Sequence, residues 1–200
     1  CVTGVQTCAL PILGPPLPPP EFSVDSGFRA DGESVVLELR ASPALALIRY
    51  TTNGDPVTVV SPAWSGPLKI QRSMVVRAKA YLEARSSGES MRSYFFGVSH
   101  DLPVVSLAAA GSNFDFKNGY LIGMGTSVLN ASGQVLQSYP YSGSNAWKDR
   151  EIEVGFEFFD TDRKSKVRQK VGMSVYGGWG SRVYPQKSYA LSAQIGRAHV

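Results

Sequence analysis

The chain has almost no cysteine and almost no histidine. Its two cysteines are Cys1 and Cys8, and its two histidines are His100 and His199. A disulfide framework, a thiolate metal site and a His-rich metal site are thereby excluded from the body of the chain. No apolar run approaches the roughly 20 residues that a membrane-spanning helix needs. Neither sign of charge forms a block. The 20 Lys and Arg and 16 Asp and Glu give a net charge of +4 and are mixed along the chain, which leaves no nucleic-acid footprint. What remains is ordinary for a globular protein, with 43% hydrophobic and 18% charged residues. The length permits one or two domains.

The two ends belong together. The opening "CVTGVQTCALPI" lacks a basic n-region, and its apolar run is too short for a signal peptide. Gln6 to Ile12 can be encoded as CAG ACG TGT GCT CTT CCG ATC. The opposite strand of the same DNA reads ATC GGA AGA GCA CAC GTC, which encodes Ile195-Gly-Arg-Ala-His-Val200. That DNA resembles a sequencing-library adapter. Residues 1–12 and 195–200 are therefore expected to be adapter-derived and to pack on nothing, and the native segment is expected to be an internal piece of a longer gene.

Residues 13–21, "LGPPLPPPE" in full, read as an extended, stiff Pro-rich linker. From 22 to 97 the signal is all β. In "SVVLELR" Val35, Leu37 and Leu39 share one face, with Ser34, Glu38 and Arg40 opposite. "ALIRYTT" is a second strand and "TTNGDP" a turn. "MVVRAKAYLE" puts Met74, Val76, Ala78, Ala80 and Leu82 inward, with Val75, Arg77, Lys79 and Tyr81 on the opposite face. Short strands at regular spacing predict a β-sandwich. The blocks "IRYTTNGDPVT", "SPAWSGPLKI", "VVRAKAYLE" and "SYFF", in this order, resemble the chitobiase/β-hexosaminidase C-terminal-like module, an immunoglobulin-like sandwich. Asn53 stands where that pattern usually has Asp. The resemblance implies a companion module of secreted and surface enzymes, a spacer or docking piece with possible glycan or cell-surface contact. Tyr50 and Trp64 are either sugar-stacking platforms or, more commonly for such residues, core aromatics.

A second unit is expected over 98–194, joined near Gly97 to Leu102. "LPVVSLA" predicts a strand. "NFDFKNGYLIGMG" predicts a loop, a turn at Asn118-Gly119 and another strand, and 127–146 an exposed loop. "EIEVGFEFFD" alternates Ile152, Val154, Phe156 and Phe158 against Glu151, Glu153, Gly155 and Glu157; Glu153 and Glu157 share a face and read as solvated residues or, less commonly, as partners for a lysine. Val171, Met173 and Val175 form the next inward face, and Tyr189, Leu191 and Ala193 the last. The three strands predict an antiparallel meander at the start of an α+β domain. The sandwich is expected to fold alone, leaving a resistant proteolytic piece of about 22–96. Asp115 reads as a loop cap, and His100 as a hydrogen-bonded junction residue.

"YGGWGSRVYPQKSYAL" carries the chemistry. It reads as strand, glycine-rich turn, strand. Gly177, Gly178 and Gly180 let backbone N–H groups approach a phosphate closely. Arg182 offers a fork for phosphate oxygens, and Lys187 follows the turn as a phosphate-binding lysine does in kinases. The spacing is not a Walker A pattern, and on spacing alone a glycine-rich hairpin with solvated Arg182 and Lys187 is the commoner reading. "DLPVVSL", "FDFKNGYLIG", "AWKDREIEVGFEFFD", "VGMSVYGGWGSR" and "YPQKSYAL", in this order, resemble the N-terminal part of the spore-coat protein H (CotH) kinase-like family. Arg150, Tyr176 and Ala190 depart from its usual residues. The resemblance implies a truncated kinase-related α+β domain that transfers phosphate from ATP, with Mg or Mn, to a protein substrate. It implies nucleotide contacts by Lys187, Arg182, Gly177, Gly178 and Ser181. Catalytic and metal-binding acids are expected beyond Gln194, so the fragment is expected to bind no cofactor and to be inactive. Secretion or surface association is expected. The rivals are a non-catalytic surface adhesin or structural module and, more weakly, an accessory module of a glycan-degrading enzyme.

Overall fold

A computed structural model describes residues 14–99 and 101–193. The adapter-like ends, with Cys1, Cys8 and His199, and the junction residue His100 lie outside the described residues.

The alternation in the first half folds as two facing β layers. One layer holds β2 (Gly27–Arg29), β5 (Leu47–Thr51), β7 (Met74–Leu82), β8 (Arg85–Ser86) and β9 (Ser90–Phe96), in the order β2-β9-β7-β5 with β8 on β7. The pairing of β2 with β9 is parallel, and those of β9, β5 and β8 with β7 are antiparallel. The facing layer is two short antiparallel pairs, β1 (Glu21–Phe22) with β4 (Leu39–Arg40) and β3 (Val35–Leu37) with β6 (Leu68–Ile70). Val35, Leu37, Leu39 and Ile70 meet Ile48, Val76, Ala78 and Tyr94 between them. Leu37 and Ile70 have no exposure, and burial of such a side chain contributes about 1.5–3 kcal/mol. The Tyr94 hydroxyl donates to the Val24 carbonyl, which satisfies it inside the core. The expected mainly-β sandwich is thus present. Tyr50 and Trp64 pack edge to face, half-buried against this core. The Pro-rich stretch is no free spacer, because Leu17 is buried beside Ala46 and Ala80 and bridges to Ser87.

The second half supplies a third layer: β10 (Val104–Ala108), β11 (Glu151–Phe159), β12 (Ser165–Val175) and β13 (Tyr189–Ala193), neighbours in that order and antiparallel throughout. The predicted meander is there. One face of this sheet buries Val154, Val171, Met173 and Val175 against Leu121 and its flanking loop. The expected strand at 120–124 is instead a set of turns. Gly119 N–H bonds to the Asp115 carbonyl and Gly123 N–H to the Gly119 carbonyl, while the Asn145 amide also donates to Gly119. The apolar run Tyr120-Leu121-Ile122 plugs the sheet with Leu121 rather than pairing with it. Asp115 accepts the N–H groups of Lys117 and Asn118, as a loop cap does. The 127–146 segment forms no regular strand, yet Val128, Ser144, Asn145 and Ala146 are buried anchors within it.

The other face of the third layer lies on the outward face of the sandwich. This covers Arg77, on the face opposite the core, which is 1% exposed. Its guanidinium pairs with Glu89 and donates to the carbonyls of Gly54 and Ala108. It also corrects one expectation, because Glu157 is not solvated and has no exposure. Alternation identifies which residues share a face, but not whether another layer covers that face. Glu153, two pleats away, stays outside and pairs with Lys170. Among the described residues no helix is long and apolar enough to cross a membrane.

Candidate functional site

The glycine-rich turn joins β12 to β13. The ladder closes with Tyr176 N–H donating to the Ser188 carbonyl. Gly177 then turns with φ +98°, and a Cβ there would press on the Ser181 side chain. Only glycine meets both demands without strain. The predicted plain hairpin is replaced by a single helical turn, α1 (Trp179–Val183). Five residues are too few to reveal a helical period in sequence. Lys187 consequently sits two residues ahead of β13 and not on it.

Both predicted cations are brought to this turn, and both are engaged. Arg182 Nε donates to the Gly177 carbonyl at 2.9 Å, Nη1 to the Ala146 carbonyl at 2.9 Å, and Nη2 meets Asp149 Oδ1 at 3.1 Å. The fork ties the start of the turn to the 145–147 loop. Lys187 Nζ donates to the carbonyls of Arg182, at 2.8 Å, and Tyr184, at 2.6 Å. These are end carbonyls of α1, where a cation is favoured. Burial pulls the Lys187 pKa below its ordinary value. Ser181 Oγ donates to Ser188 Oγ at 3.2 Å, so it faces across the turn. Gly178 opens α1 and has clear space at its α-carbon.

Arg182 and Lys187 also share the wall of a cavity of about 530 Å³. Phe114, Phe116, Ile122 and Met124 line it on the side of the 111–125 loop. The arrangement offers an apolar slot with two cationic donors at its edge. Among the described residues no three His, Cys, Asp or Glu side chains gather in a way that could hold a metal ion.

A second polar constellation escaped sequence reasoning. Glu157 accepts from Ser93 N–H, Ser165 Oγ and the Arg168 guanidinium. Arg168 reaches on to Asp25 and Ser26. Arg92 Nε lies 2.7 Å from Asp25 Oδ1, an ion pair whose N–H is not aimed at the oxygen. The one sequence cue was a glycine, Gly155, on the face that holds Glu157.

Residues 24–92 match the family model of the chitobiase/beta-hexosaminidase C-terminal domain. The matched span covers most of the sandwich, which is thus similar to that module, and it includes Arg77, Glu89 and Arg92. No curated protein matches the chain, and no solved structure does.

Proposed function

We propose that the chain is the N-terminal part of a secreted or surface-associated protein kinase of the spore-coat protein H type, preceded by its chitobiase-like module. The observation that supports this reading best is the meeting of Lys187 and Arg182 on one wall of an apolar cavity beside the Gly177 turn. The slot fits a ligand with a flat apolar part and an anionic part. Lys187 has three N–H donors, of which two are spent on carbonyls. Its third is available to a phosphate oxygen, with a charge-assisted contact stronger than a neutral one. Arg182 holds the Gly177 carbonyl and so orients the turn. Phe114 and Phe116 offer ring faces along the apolar side. ATP with Mg²⁺ or Mn²⁺ would supply the transferable phosphoryl group, and the acids that bind metal and orient the acceptor protein belong to sequence beyond Gln194.

The second reading, a non-catalytic surface adhesin or structural module, draws on the same bonds. Arg182 and Lys187 each satisfy backbone carbonyls, which a purely structural turn also requires. An accessory module of a glycan-degrading enzyme is a third reading, supported by the family match of residues 24–92. Calorimetry with ATP and Mg²⁺ or Mn²⁺ separates them, run on the gene product extended beyond Gln194 and on its Lys187→Ala variant, both checked for folding by circular dichroism. The kinase reading expects binding by the first and a severe loss in the second. Equal affinity removes Lys187 from the site, and no binding by the parent protein overturns the reading.

A further inference from the structure

The strongest unassigned feature of the molecule is the seam between the sandwich and the third layer. From β2, β7 and β9 the sandwich presents Phe28, Arg77, Met91, Ser93 and Phe95. From β10, β11 and β12 the third layer presents Ser106, Ala108, Gly155, Glu157, Phe159 and Arg168. Phe159 has no exposure and stands edge-on to Phe28 and Phe95, at centroid distances of 5.4 and 5.5 Å. Ser93 Oγ donates to Ser106 Oγ at 2.9 Å. Arg77 donates to the Ala108 carbonyl at 3.3 Å. A Cβ on Gly155 would collide with the Met91 sulfur, so the missing side chain is what lets the two sheets close.

We propose that this outward face of the chitobiase-like module is a dedicated docking surface for the β10–β13 sheet, so that module and sheet form one cooperative body and the module is no detachable spacer. The chemistry favours that single partner. Glu157 has two sets of ligands, Ser93 on the sandwich and Ser165 with Arg168 on its own sheet. A carboxylate is stable without exposure only when such donors are complete. A spacer has no use for a buried carboxylate at its boundary. The pair selects register: slipping β11 by one residue against β10 and β12 would carry Glu157 to the opposite face and put Phe158 in its place. The proposal does not depend on nucleotide binding. It does reach the glycine turn, because β12 runs unbroken from Arg168 at the seam to Val175, two residues before Gly177.

The test uses the whole chain with a specific protease site inserted in the 97–102 segment. After cleavage, the two pieces are run on size-exclusion chromatography. Single-tryptophan variants then report unfolding in urea, Trp64 for the sandwich and Trp147 for the third layer. The expected result is co-elution of the cleaved pieces, and one shared midpoint for the two tryptophans in the uncut chain. Glu157→Gln keeps the shape and loses the charge, and it should raise the dissociation constant of the cleaved pieces at least tenfold. Phe28→Ala, outside the sandwich core, makes the same comparison if Glu157→Gln yields little folded chain. Pieces that separate on cleavage, tryptophans with distinct midpoints, or an unchanged dissociation constant in the readable variant overturn the proposal.

Discussion

Glu157 and Ser93, 64 residues apart in the chain, meet in a hydrogen bond of 3.1 Å from the Ser93 N–H to Glu157 Oε2. Neither side chain has any exposure. Truncating the acid leaves the Ser93 N–H only its 3.1 Å bond to Ser26 Oγ, strands the Ser165 hydroxyl and leaves Arg168 without its inner partner. Removing one member of a buried pair costs about 3–5 kcal/mol. Arg168 is 25% exposed and recovers some hydration, which places Glu157→Ala near the lower end of that range. Glu153→Ala, on the same strand face, removes a pair in which both side chains are 46% exposed, so its loss is about 0–1 kcal/mol. Urea unfolding of the two variants checks the contrast, and equal losses would mean that the seam is solvated.

Gly155 and Met91 give a second, geometric test of the same interface. Gly155→Ala forces the Met91 side chain aside in a packed seam, at a cost of about 1–3 kcal/mol. Met91 is flexible, so part of that cost is relieved by rotamer change. Adding Met91→Ala opens the space that the new methyl needs. The double variant should therefore be less destabilised than the sum of the single ones, with a coupling of about 0.5 kcal/mol or more. Additive losses would show that the two residues do not touch.

Much of the architecture was legible because its signals are local. Val35, Leu37 and Leu39, and later Val171, Met173 and Val175, alternate within single strands, and each set is buried as a set. The covering layer was not legible. Arg77 and Glu157 look like ordinary outward charges, and the layer that covers them reaches them through residues far off in sequence, Ala108 for Arg77 and Ser93 for Glu157. Leu121 misled in the opposite direction: an apolar run reads as a strand, whereas turn bonds at Gly119 and Gly123 make it a plug. At the candidate site the requirement for Gly177 and the gathering of Arg182 and Lys187 could be read. The carbonyls that those cations hold could not, because backbone acceptors leave no trace in residue identity.

The seam carries a pH dependence through Asp25. Burial pushes its pKa up, but the Ser26 N–H and the guanidinium groups of Arg92 and Arg168 outweigh that and hold it below the ordinary value. A carboxyl with a depressed folded pKa stabilises the fold above its unfolded pKa and loses that contribution as pH falls through the folded one. Thermal midpoints should therefore be level with respect to Asp25 from pH 7 to about 5 and decline below about 4, where an ordinary aspartate begins to protonate. Asp25→Asn should lower the midpoint at pH 7 and make the acid decline shallower. Parallel curves for parent and variant would remove Asp25 from the linkage.

Arg182 has the sharpest local expectation. Its guanidinium joins Gly177, Ala146 and Asp149, three points that no other side chain among the described residues links. Arg182→Ala should release the turn from the 145–147 loop while leaving the sandwich core untouched, since none of these contacts belongs to it. Hydrogen exchange should therefore accelerate at the amides of residues 176–184, with little change on β7 and β9. Arg182→Lys should not restore protection. An ammonium on a flexible stem cannot reproduce the fixed fork that reaches two carbonyls and a carboxylate at once. The carboxylate arm is the weakest, because Asp149 is 93% exposed and such a pair is worth about 0–1 kcal/mol. Asp149→Ala should accordingly leave the exchange of the turn close to that of the parent chain. Restoration of protection by lysine, or an effect of Asp149→Ala equal to that of Arg182→Ala, would show that charge and not the carbonyl fork holds the turn.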